Sequence, residues 1–86
     1  MECQHMLSAP LPEPEGRTAG CEECIAIGQR WVHLRKCVTC GHVGCCDQSI
    51  GKHATQHAHV SGHPVVRSFQ PGEAWRYCYV DDGFAE

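Results

Sequence analysis

Hydrophobic and polar positions alternate in only a few short runs of this chain. Trp31–Cys37 reads W-V-H-L-R-K-C, which puts Trp31, His33 and Arg35 on one face of a strand and Val32, Leu34 and Lys36 on the other. Trp75–Val80 reads W-R-Y-C-Y-V and predicts a second strand, with Trp75, Tyr77 and Tyr79 sharing a face. Pro64–Phe69 (P-V-V-R-S-F) is a third strand, followed by a turn over Gln70–Glu73, and His42–Cys45 is a short returning strand. The best helical stretch is Lys52–His59, K-H-A-T-Q-H-A-H, with Asp47, Gln48 and Ser49 as N-cap candidates and Ser61-Gly62 as its end. At about two turns it is too short to stand alone. Asp81-Asp82-Gly83 ends the last strand.

The N-terminal part has a different texture. Ser8–Arg17 (S-A-P-L-P-E-P-E-G-R) is rich in proline and glutamate and has little to bury, so it reads as an extended, mobile connector. Residues 1–19 are therefore expected to be an N-terminal segment and linker, and residues 20–86 the folded domain.

Composition explains how so little apolar pattern can fold. A chain of 86 residues is one small domain at most, marginal without a staple. It carries eight cysteines and seven histidines, and four of the cysteines and five of the histidines fall between Cys37 and His63. Disulfides would account for the cysteines but not the histidines, and no secretory signal is visible at Met1–Ser8. The expected setting is the reducing cytoplasm, where such a cluster binds metal. No apolar run is long enough to span a membrane. The net charge of −3 and a pI near 6.1 argue against a nucleic-acid footprint. Zinc would not reverse this, because a Cys3His site keeps a net negative charge and a Cys2His2 site is neutral.

The ligand-type residues fall into pairs: Cys21/Cys24 and Cys37/Cys40 as C-x-x-C knuckles, Cys45 with His53, and His57 with His63. His53 and His57 are four apart and share a helix face. Sulfur and nitrogen donors in closed sets of four favour structural zinc with no open position for water. Spacing leaves the partition open between sequential and interleaved pairings. Cys3 and His5 form one more ligand-type pair, and His33, His42 and His59 stay unassigned, as partly exposed side chains.

The order C-x-x-C, W-V-x-L-x-x-C-x-x-C, Cys45, then H-A-x-x-H-x-x-x-x-x-H-P resembles the ubiquitin-hydrolase-type (UBP) zinc finger, here in a free-standing, bacterial-type form. The likeness runs from Gly20 to about Asp82. It implies an α+β fold: a small zinc-stabilised domain with a twisted, antiparallel-type sheet of about 4–5 short strands and one or two short helices. It implies the interleaved partition, with Cys21, Cys24, Cys45 and His53 on one zinc and Cys37, Cys40, His57 and His63 on another. Some family members hold a further zinc through an N-terminal C-x-H and a C-terminal C-x-x-C. Cys3-Gln4-His5 matches the first half, whereas Cys78 stands alone in the second, so Cys3, His5, Cys46 and Cys78 are the candidate third set.

The resemblance also implies a pocket for a free C-terminal Gly-Gly tail, with aromatic walls and an arginine for the terminal carboxylate. Trp31, Trp75, Tyr77 and Tyr79 stand where the walls would be, although a thin sheet needs such aromatics for its core in any case. Asp47 stands where the family's arginine is expected, and Arg35, Arg67 and Arg76 are the replacements that neighbouring strands offer. The expected function is a non-catalytic, monomeric zinc-binding module for a protein or peptide C-terminus, without nucleic acid or membrane. The alternative is a zinc or thiol enzyme, or a redox sensor, using Cys46. No H-E-x-x-H arrangement supports the enzyme.

Overall fold

Five short strands make one antiparallel sheet in the computed structural model, which describes residues 4–7 and 12–85. The strands are β1 (Leu34–Cys37), β2 (Val43–Cys45), β3 (Val65–Ser68), β4 (Arg76–Cys78) and β5 (Gly83–Ala85), in the spatial order β2-β1-β3-β4-β5. The helices are α1 (Gln4–Leu7), α2 (Glu22–Ile27) and α3 (His53–Ser61).

The Cys37–Gly41 knuckle closes the β1–β2 hairpin. Gly41 takes φ 83°, its N–H bonds the Cys37 carbonyl at 2.9 Å, and the Cys37 N–H bonds His42 O at 2.8 Å. The register is Leu34↔Cys45, Arg35↔Gly44 and Lys36↔Val43. The chain then runs through α3 and lays β3 on the other side of β1, with Arg35↔Ser68 and Cys37↔Val66. Helix α3 packs on β2 and β1 through Ala54 and Ala58, its buried residues. Gly44 makes that approach possible, since a Cβ there would lie 2.6 Å from the Ala54 nitrogen.

Register and alternation sort the sheet into two faces. One carries Arg35, Gly44, Val66, Tyr77 and Phe84, and α3 lies on it. The other carries Leu34, Lys36, Val43, Cys45, Val65, Arg67, Arg76 and Cys78. Against this second face, Cys21 and Cys24 cluster with Leu34, Val43, Cys45 and Phe69, and Met6 of α1 packs with Val38, Val65 and Cys78.

Of the proline-rich stretch expected to be a mobile connector, residues 8–11 lie outside the described residues, and residues 12–17 lie against the sheet. Glu13, its side chain only 13% exposed, accepts from Lys36 Nζ at 2.7 Å, Arg67 Nη1 at 2.9 Å and Arg76 Nη2 at 2.9 Å. Those cations sit in register on β1, β3 and β4, so the strap sets one carboxylate among three like charges and offsets part of their repulsion. Gly16 packs on Phe69, and the Arg17 N–H bonds Gly41 O at 2.9 Å.

Other boundaries shift for local reasons. The regular strand starts only at Leu34: Cys46 N still bonds His33 O at 3.0 Å, in line with the β1–β2 register, but the Val32 N–H turns to Ser49 Oγ at 2.7 Å. Helix α3 starts without a side-chain cap, from Lys52 in the left-handed region at φ 48°. The final strand, β5, begins at Gly83, the last residue of the Asp81–Gly83 segment where the pattern ended.

Candidate metal centres and binding pocket

The Cys21–Cys24 knuckle is the first turn of α2. Cys21 is its N-cap, and its sulfur accepts from the Cys24 N–H at 3.4 Å. Strand β2 adds Cys45, and the first residue of α3 adds His53. The His53 Nδ1 lies 3.3 Å from Cys21 Sγ, 3.4 Å from Cys24 Sγ and 3.4 Å from Cys45 Sγ, and the Cys24 and Cys45 sulfurs are 3.8 Å apart. A tetrahedral zinc with ordinary bond lengths requires sulfur–sulfur edges of about 3.8 Å and sulfur–nitrogen edges of about 3.6 Å. The donor set therefore fits zinc in both chemistry and spacing. The His53 backbone N–H also points at Cys45 Sγ, 3.3 Å away.

A second cluster joins Cys37 and Cys40 from the hairpin to His57 of α3 and His63 after it. Cys37 Sγ is 3.6 Å from His63 Nδ1, and Cys40 Sγ is 3.4 Å from His57 Nε2. These separations fit zinc equally well. His53 and His57 share a helix face yet serve different clusters, so α3 is the element that both would pin. Zinc at these sites would act as a cross-link between strands, hairpin and helix.

Burial pushes the thiols of Cys21, Cys24 and Cys37 upward, that of Cys24 to about 12. A metal must therefore displace protons to bind them. The seven described cysteines, from Cys21 to Cys78, are free thiols rather than disulfides.

His42 links the two clusters. It is buried, its Nε2 lies 2.7 Å from Glu23 Oε2, and its ring stacks on His57 with centroids 4.0 Å apart and planes 9° apart. Glu23 stands between Cys21 and Cys24. Burial alone would raise its carboxyl pKa, but the His42 bond brings it below the usual value. The sequence treatment of His42 as a partly exposed stray missed this, and no local pattern signals it. Burial and the neighbouring His42 and His63 hold the His57 imidazole below its ordinary value.

A third, smaller group forms where α1 meets the end of β4. His5 Nδ1 is 3.5 Å from Cys78 Sγ and 3.2 Å from Asp81 Oδ2. Cys78 is buried, and the other two are more exposed.

A pocket of about 310 Å³ opens on the sheet face that carries α3. Trp75, Tyr77, Tyr79 and Phe84 wall it, together with Arg35, Val66, Cys46, Asp47 and Asp82. The aromatics pack edge to face: Tyr77 and Tyr79 have centroids 5.0 Å apart, and Trp75 and Phe84 5.3 Å. The Arg35 guanidinium lies 4.4 Å over the Trp75 ring. Tyr77 donates to Asp82, which with burial raises the phenol to about 12, so it stays a donor at neutral pH. Thr55 of α3 donates to Asp47. Burial works to raise the Cys46 thiol, but bonds from Gln48 and Ser49 and the nearby Arg35 charge bring it below the ordinary value.

The profile of the family described as "Zn-finger in ubiquitin-hydrolases and other protein" matches residues 21–86. The chain belongs to this zinc-finger family. Among solved structures, it is similar to protein RPA1320 from Rhodopseudomonas palustris, determined by solution NMR. The identity is 49% and the TM-score 0.91, over 100% of this chain and 82% of that one. No curated protein matches the chain significantly.

Within this zinc finger, the expected site residues fall in several places. Cys21, Cys24, Cys45 and His53 gather in one cluster, and Cys37, Cys40, His57 and His63 in another. Of the candidate third set, His5 and Cys78 meet, Asp81 joins them, and Cys3 lies outside the described residues. Cys46 is not among those donors; its Sγ is 3.7 Å from Ser49 Oγ, in the pocket wall. Trp75, Tyr77 and Tyr79 line the pocket, whereas Trp31 packs over Gly20, before β1 begins. Phe84 replaces it as the fourth aromatic, from a strand that alternation did not predict. Of the three arginine candidates, only Arg35 lines the pocket, since Arg67 and Arg76 are held by Glu13 on the opposite face.

Proposed function

We propose that this zinc finger is a non-catalytic binding module that captures the C-terminus of a peptide or protein. The observation that carries the reading is Arg35, laid over Trp75 in a pocket walled by Trp75, Tyr77, Tyr79 and Phe84. It supplies a guanidinium beside aromatic walls although Asp47 occupies the position where the family's arginine was expected. A guanidinium can hold a carboxylate through two parallel bonds, and the aromatic walls exclude water from the last residues of an extended chain. Cys46, on which thiol chemistry would rest, is 5% exposed and hydrogen-bonded to Ser49, which restricts access to it.

We also propose two structural zinc ions, at Cys21, Cys24, Cys45 and His53 and at Cys37, Cys40, His57 and His63. A third would be held by His5, Cys78 and Asp81. Zinc quantification of the purified protein, beside that of the Cys78→Ser variant, tests the count. A loss of one ion in the variant supports the third site, and an unchanged count removes it.

The test of capture is titration with a Gly-Gly-ending peptide and with its C-terminal amide, followed by Trp fluorescence and amide shifts. The free acid should perturb the Trp75 and Arg35 signals and the amide should do so far less. No shift at millimolar peptide overturns the reading.

A further inference from the structure

The charge on the strap side of the sheet does not balance. Lys36, Arg67 and Arg76 are all paired with Glu13. Every other ion pair among the described residues joins one acid to one base: Arg17 to Glu22, His42 to Glu23 and His5 to Asp81. Three cations around one carboxylate leave an excess of two positive charges, in a chain whose net charge is −3.

Register makes the imbalance costly. Arg67 stands directly opposite Lys36 on β1 and directly opposite Arg76 on β4. Like charges that face each other across strands are destabilising. A buried carboxylate needs a cation to pair with, but one would do, so anchoring the strap does not account for all three.

The donors divide into an inner and an outer set. Lys36 is the inner member, its side chain 10% exposed. Arg67 and Arg76 are the outer members, 29% and 34% exposed. Arg67 gives Glu13 one bond through Nη1, and Arg76 gives it one through Nη2. The described hydrogen bonds leave Nε and Nη2 of Arg67, and Nε and Nη1 of Arg76, to other acceptors. Two half-used guanidinium forks on adjacent strands thus reach solvent. Such forks match the oxygens of a phosphoryl group.

We propose that Arg67 and Arg76 form an anion site for a doubly charged phosphoryl group, bound beside Glu13 and not in its place. A phosphorylated side chain carries about −1.5 to −2 at neutral pH, close to the excess, and free phosphate shares its chemistry. A lone carboxylate supplies half of that charge. Glu13 stays because it is buried and bonded to all three cations, and it presets both guanidiniums while using one donor of each. The site lies on the sheet face opposite the aromatic pocket, so it stands or falls independently of tail capture.

Titration of the zinc-loaded protein tests this, followed by amide and arginine side-chain NMR signals. The ligands are inorganic phosphate, a phosphoserine peptide, the same peptide with glutamate in place of phosphoserine, and a dinucleoside monophosphate. Both peptides are capped at their ends, so neither presents a terminal carboxylate to the aromatic pocket. Phosphate and the phosphopeptide should move the Arg67 and Arg76 side-chain signals and leave the Trp75 indole signal in place. The phosphopeptide should bind at least about threefold more tightly than the glutamate peptide. Arg67→Gln and Arg76→Gln should each weaken phosphate binding by about threefold or more. Arg17→Gln, whose arginine pairs with Glu22 outside the row, should not.

A phosphopeptide that binds more tightly than free phosphate assigns the site to a phosphorylated chain, and any other order assigns it to the free ion; both support the site. If one variant fails to hold zinc, the other variant and the parent's ranking of ligands still decide. The absence of a shift at about 10 mM phosphate overturns the proposal. So does a glutamate peptide or a dinucleoside monophosphate that binds as tightly as the phosphopeptide, or an affinity that both arginine variants retain.

Discussion

His42 donates toward Glu23 with Nε2 only 2.7 Å from Oε2, and the same ring stacks on His57 at 4.0 Å. Glu23 sits between two donors of one cluster, and His57 is a donor of the other. The two candidate metal sites therefore share a strut, buried at His42 and 43% exposed at the Glu23 side chain. His42→Phe keeps a stacking ring but leaves Glu23 unpaired. It should destabilise the protein by about 1–3 kcal/mol, and it should hasten zinc loss from both clusters. Thermal melts and zinc transfer to a chelating dye measure the two effects; acceleration in one cluster alone would contradict a shared strut.

Gly44 is the point on which α3 rests. A methyl group there meets the Ala54 nitrogen at 2.6 Å and its Cα at 2.9 Å, both backbone atoms that cannot rotate away. Gly44→Ala should cost about 1–3 kcal/mol or more through overpacking, and it should lift His53 and His57 from their cysteines. Gly62→Ala is the control. Nothing lies within 4 Å of its added Cβ, so the left-handed φ of 76° is the only penalty, about 1–2 kcal/mol. Melting temperatures and zinc affinity should separate the two variants.

The Glu13 hub gives stability a defined pH dependence. Burial alone would raise its carboxyl pKa, but hydrogen bonds and charges from Lys36 and Arg67 outweigh this and hold it below the ordinary value. A depressed folded pKa means that the stabilisation is fully present above the unfolded carboxylate value, about 4.3. It is lost as pH falls through the folded value. Glu13→Gln should cost about 1–3 kcal/mol at neutral pH. The deficit against the parent should stay level from neutral pH down to the unfolded value and shrink below it. Parallel denaturant melts across acid pH test this, with the difference between the proteins as the readout; a deficit that grows on acidification would refute the hub.

Metal removal should unfold the domain. Among the described residues, the largest fully buried side chains are only valines and cysteines, four and five of them, and all five cysteines are candidate donors. Stripping zinc by chelation should collapse the amide dispersion. Because burial raises the thiols, and Cys24 to about 12, zinc must compete with protons. Affinity should therefore fall as pH falls, with protons released on binding. Retained dispersion after complete zinc removal would show that the apolar core suffices.

Much of the framework is legible in the residue pattern. The C-x-x-C knuckles, the helical H-x-x-x-H and the short alternating runs mark β1, β2, α3, β3 and β4 within a few residues of their observed bounds. These signals are local: a strand alternates with its own neighbours, and a chelating pair needs only a turn between its members. The strap was opaque because proline and glutamate have no pattern of burial. Glu13 is buried only because β1, β3 and β4 bring Lys36, Arg67 and Arg76 into one row. His42 was opaque for the same reason, its partners lying on α2 and α3.

The sequence by itself determined a small zinc-finger domain: eight cysteines and seven histidines, too little apolar bulk to fold unaided, and a spacing that marks the family. Only the tertiary structure decided which donors meet, that Asp81 rather than Cys46 stands beside His5 and Cys78, and that Arg35 faces the aromatic pocket while Arg67 and Arg76 do not. The physical reason is that coordination and charge pairing depend on separations of a few ångströms between elements distant in the chain. Those separations are set by sheet register, by the face each strand presents and by how closely α3 approaches Gly44.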